Sequence, residues 1–147
     1  MSYKIYSFED VTCSFLHSSV GAASSTGAGI GSIAISMTGD KTTHETALDG
    51  TIFVLRIPGD NGIIAVTMQQ TSDLHKYLLK WYNYINSPGS SMPEWISMNI
   101  TIKNRQLGDL TTCIGVSPQK LPDRPYQSNG QHVTWNLMAT RISQENI

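Results

Sequence analysis

One segment constrains this chain more than any other. "TSDLHKYLLKWYNYIN", residues 71–86, is its single strong helical pattern. Elsewhere apolar and polar residues alternate, and no helical segment separates one β pattern from the next. Parallel strands need long crossovers, usually helices, so this order excludes a doubly wound α/β fold. The expected fold is mainly β, an antiparallel β-sandwich or barrel with one packed α-helix at about residues 72–86.

On a wheel of 100° per residue, Leu74, Leu78, Trp81 and Ile85 form one core stripe. Tyr77 and Tyr84 flank it on one side and Tyr82 on the other. The apolar arc is then roughly 160° wide, where a surface helix needs about 100°. Leu79 lies outside even that arc. Thr71 or Ser72 can cap the amino end, Asp73 suits its positive dipole, and Pro88 and Gly89 follow the end. Two readings of the excess stay open. The tyrosine hydroxyls reach water around a helix covering one sheet, or the flanks and Leu79 meet another subunit.

The strand pattern runs along the rest. "KIYSF" (4–8), "VTCSFLH" (11–17) and "IGSIAISMTG" (30–39) alternate. "TIFVLRI" (51–57) is apolar on both faces and reads as a central, fully buried strand. "PGDNG" (58–62) would join it to "IIAVTMQQ" (63–70) as a hairpin. "WISMNITIKN" (95–104) puts Ile96, Met98, Ile100 and Ile102 on one face. "LTTCIGV" (110–116) follows, and "HVTWNLMAT" (132–140) points Val133, Trp135, Leu137 and Ala139 inward. The expectation is one domain over 1–147, with long loops at 18–29, 40–50 and 117–130.

Charge narrows the function. The formal net charge is −1, which excludes strong electrostatic capture of nucleic acid. Charged residues make up 14% of the chain, against about 25% in ordinary soluble domains. None occurs from Val11 to Gly39. So few charges fit a protein whose surface is largely covered in an assembly. Three strand faces are polar yet uncharged: Ser32, Ala34, Ser36, Thr38; Ser97, Asn99, Thr101; and Thr134, Asn136, Met138, Thr140. They are either ordinary Thr-rich β surface or a wall that stays wet while holding nothing tightly.

Catalytic and metal patterns are missing. His17, His44, His75 and His132 share no ligand spacing and read as surface or strand residues. "GAGIGS" (27–32) resembles a phosphate-binding loop, but a β pattern follows it where a helix is required. "GVSPQ" (115–119) lacks the second glycine of a nucleophile elbow. Glu9 and Asp10 stand where a secretory signal places apolar residues, and no membrane span is present, so no membrane insertion is expected. Cys13 and Cys113 are expected as reduced, buried residues. No cofactor, metal or enzymatic activity is expected.

A set of short motifs carries a resemblance. In order they are "YSFEDV" (6–11), "GDK" (39–41), "DG" (49–50), "TS" (71–72), "YN" (82–83), Trp95, "NITIKN" (99–104), "GD" (108–109), "QKLPD" (119–123), Tyr126 and Trp135. Together they resemble the tail-tube proteins of contractile-tailed bacteriophages, over about residues 3–142. The chain departs from that pattern at Pro118, in "TSDLHKYL", and in the early loop "SSVGAAS".

The resemblance implies a tail-tube-like β fold and a structural virion protein of the viral tail, assembled in the host cytoplasm. Six copies would close into a homohexameric ring, and rings would stack into a tube that conducts DNA into the host when the sheath contracts. Implied partners are other copies of the chain, the sheath protein, a tape measure, and baseplate and tail terminator proteins. Double-stranded DNA would pass through without specific binding. The implied contacts between subunits are Tyr77, Leu79, Tyr82 and Tyr84 on the helix, and Asp40, Lys41, His44, Glu45 and Asp49 in the 40–50 loop. Two alternatives stand beside this reading. One is the inner tube of a phage-derived contractile injection particle without a genome, and the other a free-standing β-sandwich binding module.

Overall fold

The structure, a computed structural model, describes residues 5–25, 30–128 and 131–146. Lys4 of the first expected strand, residues 26–29 of the early loop and 129–130 of the late loop lie outside the described residues.

Among the described residues, nine strands and one α-helix form the fold: β1 Val11–His17, β2 Gly21–Ser25, β3 Ile30–Met37, β4 Thr42–Thr46, β5 Ile52–Arg56, β6 Gly62–Gln69, α1 Asp73–Ile85, β7 Met98–Asn104, β8 Asp109–Pro118 and β9 His132–Asn146. Seven strands make one antiparallel sheet in the order β2-β1-β7-β8-β9-β6-β3, curled into a half-barrel. β4 and β5 pair only with each other, as a separate ribbon. The expected class holds: mainly β, antiparallel, with one packed helix.

The helix forms where its signals stand. Ser72 caps it, its hydroxyl accepting from the His75 amide at 3.2 Å, and Asp73 occupies the first turn. Leu74, Leu78, Trp81 and Ile85 are buried, as the wheel requires. They pack on the inward residues of the sheet, among them Phe15, Ile64, Val66, Ile100, Trp135 and Leu137. Along β6 alternation is strict: it buries every second residue from Gly62 to Met68. β9 buries Val133, Trp135, Leu137 and Ala139 and then shifts phase, leaving Thr140 and Arg141 both exposed before Ile142 turns in. The shift falls opposite Gly115, whose φ is 67°, and there β8 carries an extra residue relative to β7. β9 itself keeps continuous register, pairing with β6 over 132–139 and with β8 over 137–146.

Several expectations are corrected. Residues 51–57 are not a central buried strand. β5 lies in the ribbon, every residue exposed, and it pairs with β4 rather than with 63–70. A run apolar on both faces looks the same whether its covers come from its own chain or from another. The 18–29 loop contains β2, which needs only backbone bonds to sit at the sheet edge. The 40–50 loop contains β4. Phe8, the last residue of the first expected strand, opens a 3₁₀ turn over Phe8–Asp10, with Ser7 as its cap. A 3₁₀ helix also takes Met92–Ile96, so Trp95, Ile96 and Ser97 precede the strand instead of alternating along it.

His75 is a core residue, not a surface one. It is 1% exposed, and its Nδ1 accepts from the Trp135 indole N–H at 3.1 Å. Burial, reinforced by the positive charge of Arg124, holds its imidazole below the usual pKa. The unfolded chain therefore takes up this proton more readily than the folded one. Stability from this site is complete above the unfolded value of 6.5 and is lost as pH falls below it.

Two predictions follow from the packing. Gly115→Ala destabilises by about 1–3 kcal/mol, because the new Cβ meets the Thr140 side chain and φ is left-handed. Gly39→Ala, with open space around it, leaves the denaturant midpoint unchanged. The wild-type midpoint falls between pH of about 7.5 and about 5, and His75→Gln flattens that slope.

Candidate assembly interface

The β4–β5 ribbon continues the β3–β6 hairpin beyond the sheet. Its root is tied down by few bonds. The Lys41 ammonium donates to the Gly59 carbonyl and pairs with Asp60 at 2.5 Å, and Asp60 bridges to Arg141, its carbonyl accepting from the Ile142 amide at 2.8 Å. The Lys41 contact holds the Asp60 carboxyl below its usual range. At the tip, Asp49 accepts the Thr51 amide at 2.9 Å and Gly50 takes a left-handed φ of 89°. That hydrogen bond likewise lowers the Asp49 pKa.

Between root and tip, both faces of the ribbon are exposed. Thr46 pairs with Ile52 and His44 with Val54, while Glu45 pairs with Phe53 and Thr43 with Leu55. Side chains alternate in a strand, so Ile52 and Val54 lie on one face and Phe53 and Leu55 on the other. All four are between 45% and 64% exposed. Of the contact candidates read from sequence, Asp40, Lys41, His44, Glu45 and Asp49 are brought together here, all exposed. Lys41 and Asp49 hold the ribbon's own shape. The large apolar residues of β5, assigned to the core from sequence, are the exposed feature that sequence reasoning missed.

The helix flanks lie differently. Tyr77, Leu79, Tyr82 and Tyr84 are half-buried against the chain's own core. Tyr77 donates to the Gly21 carbonyl at 2.6 Å, Tyr82 packs edge-on to Trp135, and Tyr84 packs edge-on to His17. The wide apolar arc is thus used largely at home, to span from β9 to β2.

The face of the sheet opposite the helix gathers the uncharged residues. Pairing aligns Ser32, Thr67 and Thr134 in one row, Ala34, Ala65 and Asn136 in the next, and Ser14, Thr101 and Thr112 in another. Thr67 and Thr134 hydroxyls are 3.0 Å apart. By alternation, the charged strand residues here are Lys103, Arg141 and Glu145, all toward one end. Ser97 does not belong to this face.

Ser97 instead meets His17, with Oγ 2.9 Å from Nε2 and Glu94 nearby. This is not a nucleophile pair. The Ser19 and Val20 amides both donate to His17 Nδ1, so Nε2 carries the proton and cannot accept one from Ser97. The cluster clamps the β1–β2 turn to the segment entering β7. Cys13 and Cys113 are free and buried, and burial pushes their thiols up to about 12 and about 11. Among the described residues, no group of three His, Cys, Asp or Glu could hold a metal ion, and no helix is long and apolar enough to cross a membrane.

Solved structures share the fold at low identity. A sheath/tube terminator of the extracellular contractile injection system PVC, in its extended state, aligns at TM-score 0.64 with 14% identity, covering 98% of both chains. A chain of the PVC sheath-tube complex aligns at 0.63 with 17% identity, covering 99% of this chain and 93% of that one. The tube-terminating cap of the anti-feeding prophage aligns at 0.62 with 12% identity, covering 100% and 94%. No curated protein sequence matches. The family model for the bacteriophage PhiTE tail tube protein matches residues 3–146. The chain therefore belongs to the bacteriophage PhiTE tail tube protein family, whose role is structural and non-enzymatic, as a component of the particle's tail.

Proposed function

We propose that six copies of this chain close into a ring and that rings stack into the inner tail tube, which conducts DNA when the surrounding sheath contracts. The observation that carries this reading is the ribbon, which exposes large apolar side chains on both faces. A chain of this length packs to a radius of gyration of about 15 Å, too small to enclose a bore. A tube must therefore be built from many copies. A ring is a heterologous interface whose rotation closes, and stacking is a second one that does not close.

The charge-poor outer face of the sheet is the surface we assign to the channel. Each basic contact would add salt-dependent affinity for phosphate and slow the passage of DNA. The half-exposed edges of Tyr77, Leu79, Tyr82 and Tyr84 are assigned to contacts with the neighbouring subunit or the sheath, and the ribbon, with Asp40, His44 and Glu45, to contact between rings. Sheath, terminator and baseplate are the partners that accompany structures of this fold. The same neighbours favour a second reading, the tube of an injection particle without a genome. Capsid, portal and terminase genes beside this one would decide for the phage.

Negative-stain electron microscopy of the purified protein, with mass photometry on the same sample, tests the proposal. Hollow tubes or hexameric rings are expected. A protein that stays monomeric when concentrated with its sheath and baseplate partners contradicts it. Val54→Glu is expected to abolish assembly while shifting monomer stability by less than about 0.5 kcal/mol, since Val54 is exposed in the single chain.

A further inference from the structure

The ribbon has two apolar faces and only two strands, so its own chain cannot cover it. A second apolar surface lies elsewhere on the molecule. Around the end of α1 and the 3₁₀ helix after it is a concave pocket of about 590 Å³, lined by Ile85, Pro88, Met92, Trp95 and Ile96 among small polar residues, with no charged side chain. Met92 is 88% exposed and Ile96 47%.

The two surfaces lie on opposite sides of one row of residues across the sheet. Met98, Val116, Ala139, Gly62 and Met37 form one row across the strands. β7 runs away from this row, so the pocket segment before Met98 lies on the near side. β6 runs antiparallel to β9 and β7 parallel to it, so the ribbon before Gly62 lies on the far side. Facing away from each other across this row, ribbon and pocket do not meet within one molecule. Two molecules displaced along the strand direction, with a sideways offset across β8 and β9, can join them, and each such pair leaves a free ribbon and a free pocket to continue.

We infer that the apolar ribbon of one copy seats in the Trp95 pocket of the next copy along the tube. The occupant is a second copy of this chain because the ribbon face that carries Ile52 and Val54, beside Thr46 and His44, and the pocket are both apolar without a carboxylate or a lysine or arginine between them, and because the two point to opposite sides of the row. Such a contact is heterologous and does not close, which gives a polar filament. The inference rests on the tube reading and adds to it the surface that receives the ribbon.

Trp95 reports the contact in the unmodified protein. It is 38% exposed, while Trp81 and Trp135 are fully buried. Iodide therefore quenches the Trp95 fraction of the emission in dispersed protein, and assembly is expected to abolish that quenching. The ribbon is then identified by a Val54→Cys, Ile96→Cys double variant. In oxidised tubes it should give a ladder of covalent multimers on a non-reducing gel, and neither single variant should. Tubes that form with Trp95 still quenched, or with Trp95 covered and no ladder, overturn the ribbon–pocket contact and leave the tube reading standing. Failure of the wild-type chain to form any tube, even when concentrated with its sheath and baseplate partners, overturns both. If the double variant alone fails to assemble, persistent quenching in wild-type tubes overturns the contact, and its loss supports it.

Discussion

A seven-stranded sheet has two faces, and this chain has one helix to cover them. Everything else in the structure follows from that shortage. Trp81 and Leu78 are fully buried because they are the cover, and they pack with the inward residues of β6 and β9 as one cluster. Removing an indole from such a site costs about 3–5 kcal/mol, a large share of a domain's net stability. The tyrosines that widen the helix's apolar arc let a single cylinder reach across a curled sheet from Trp135 to Gly21.

What the helix does not cover must be compatible with water or be covered by other molecules. The structure shows both solutions. The outer face of the sheet carries mostly hydroxyl, amide and small side chains, with Leu16, Ile114 and Met138 exposed among them and charge confined to one end. It tolerates water without holding anything firmly. The ribbon is the opposite case. Exposed, contiguous apolar surface of this kind marks a binding site in a soluble chain, and a two-stranded hairpin alone is marginally stable. Membership of a tail tube family gives this economy a purpose. A repeating unit can leave surface uncovered when identical copies supply the missing layer.

The parts legible in the sequence were those decided within the chain. The helix, its cap and its four-residue stripe appear where the 3.6-residue period and Ser72 put them. The inward set of β9 follows the two-residue period as far as Ala139. What was misread depended on neighbours. The run 51–57 has the composition of a buried strand, and burial by another copy leaves the same signature as burial in a core. β2 and β4 were read as loops because Gly, Ala, Ser and Thr pair through their backbones without an apolar pattern. His75 was read as a surface or strand residue because its partner, Trp135, lies on a distant strand. Asp40, Lys41, His44, Glu45 and Asp49 were found by resemblance, and the structure gathers them on the ribbon without showing what they touch. Their apolar neighbours Ile52 to Leu55 were hidden by the core reading.

The central claim is that the ribbon is completed by other copies of the chain. Hydrogen exchange read by mass spectrometry, on dispersed protein and on assembled tubes, tests it most directly. In the dispersed chain the amides of residues 42–56 should exchange quickly, since two exposed strands open easily. In tubes they should become as protected as those of β6 and β9. A ribbon that exchanges as fast in tubes as in the free chain would contradict the account.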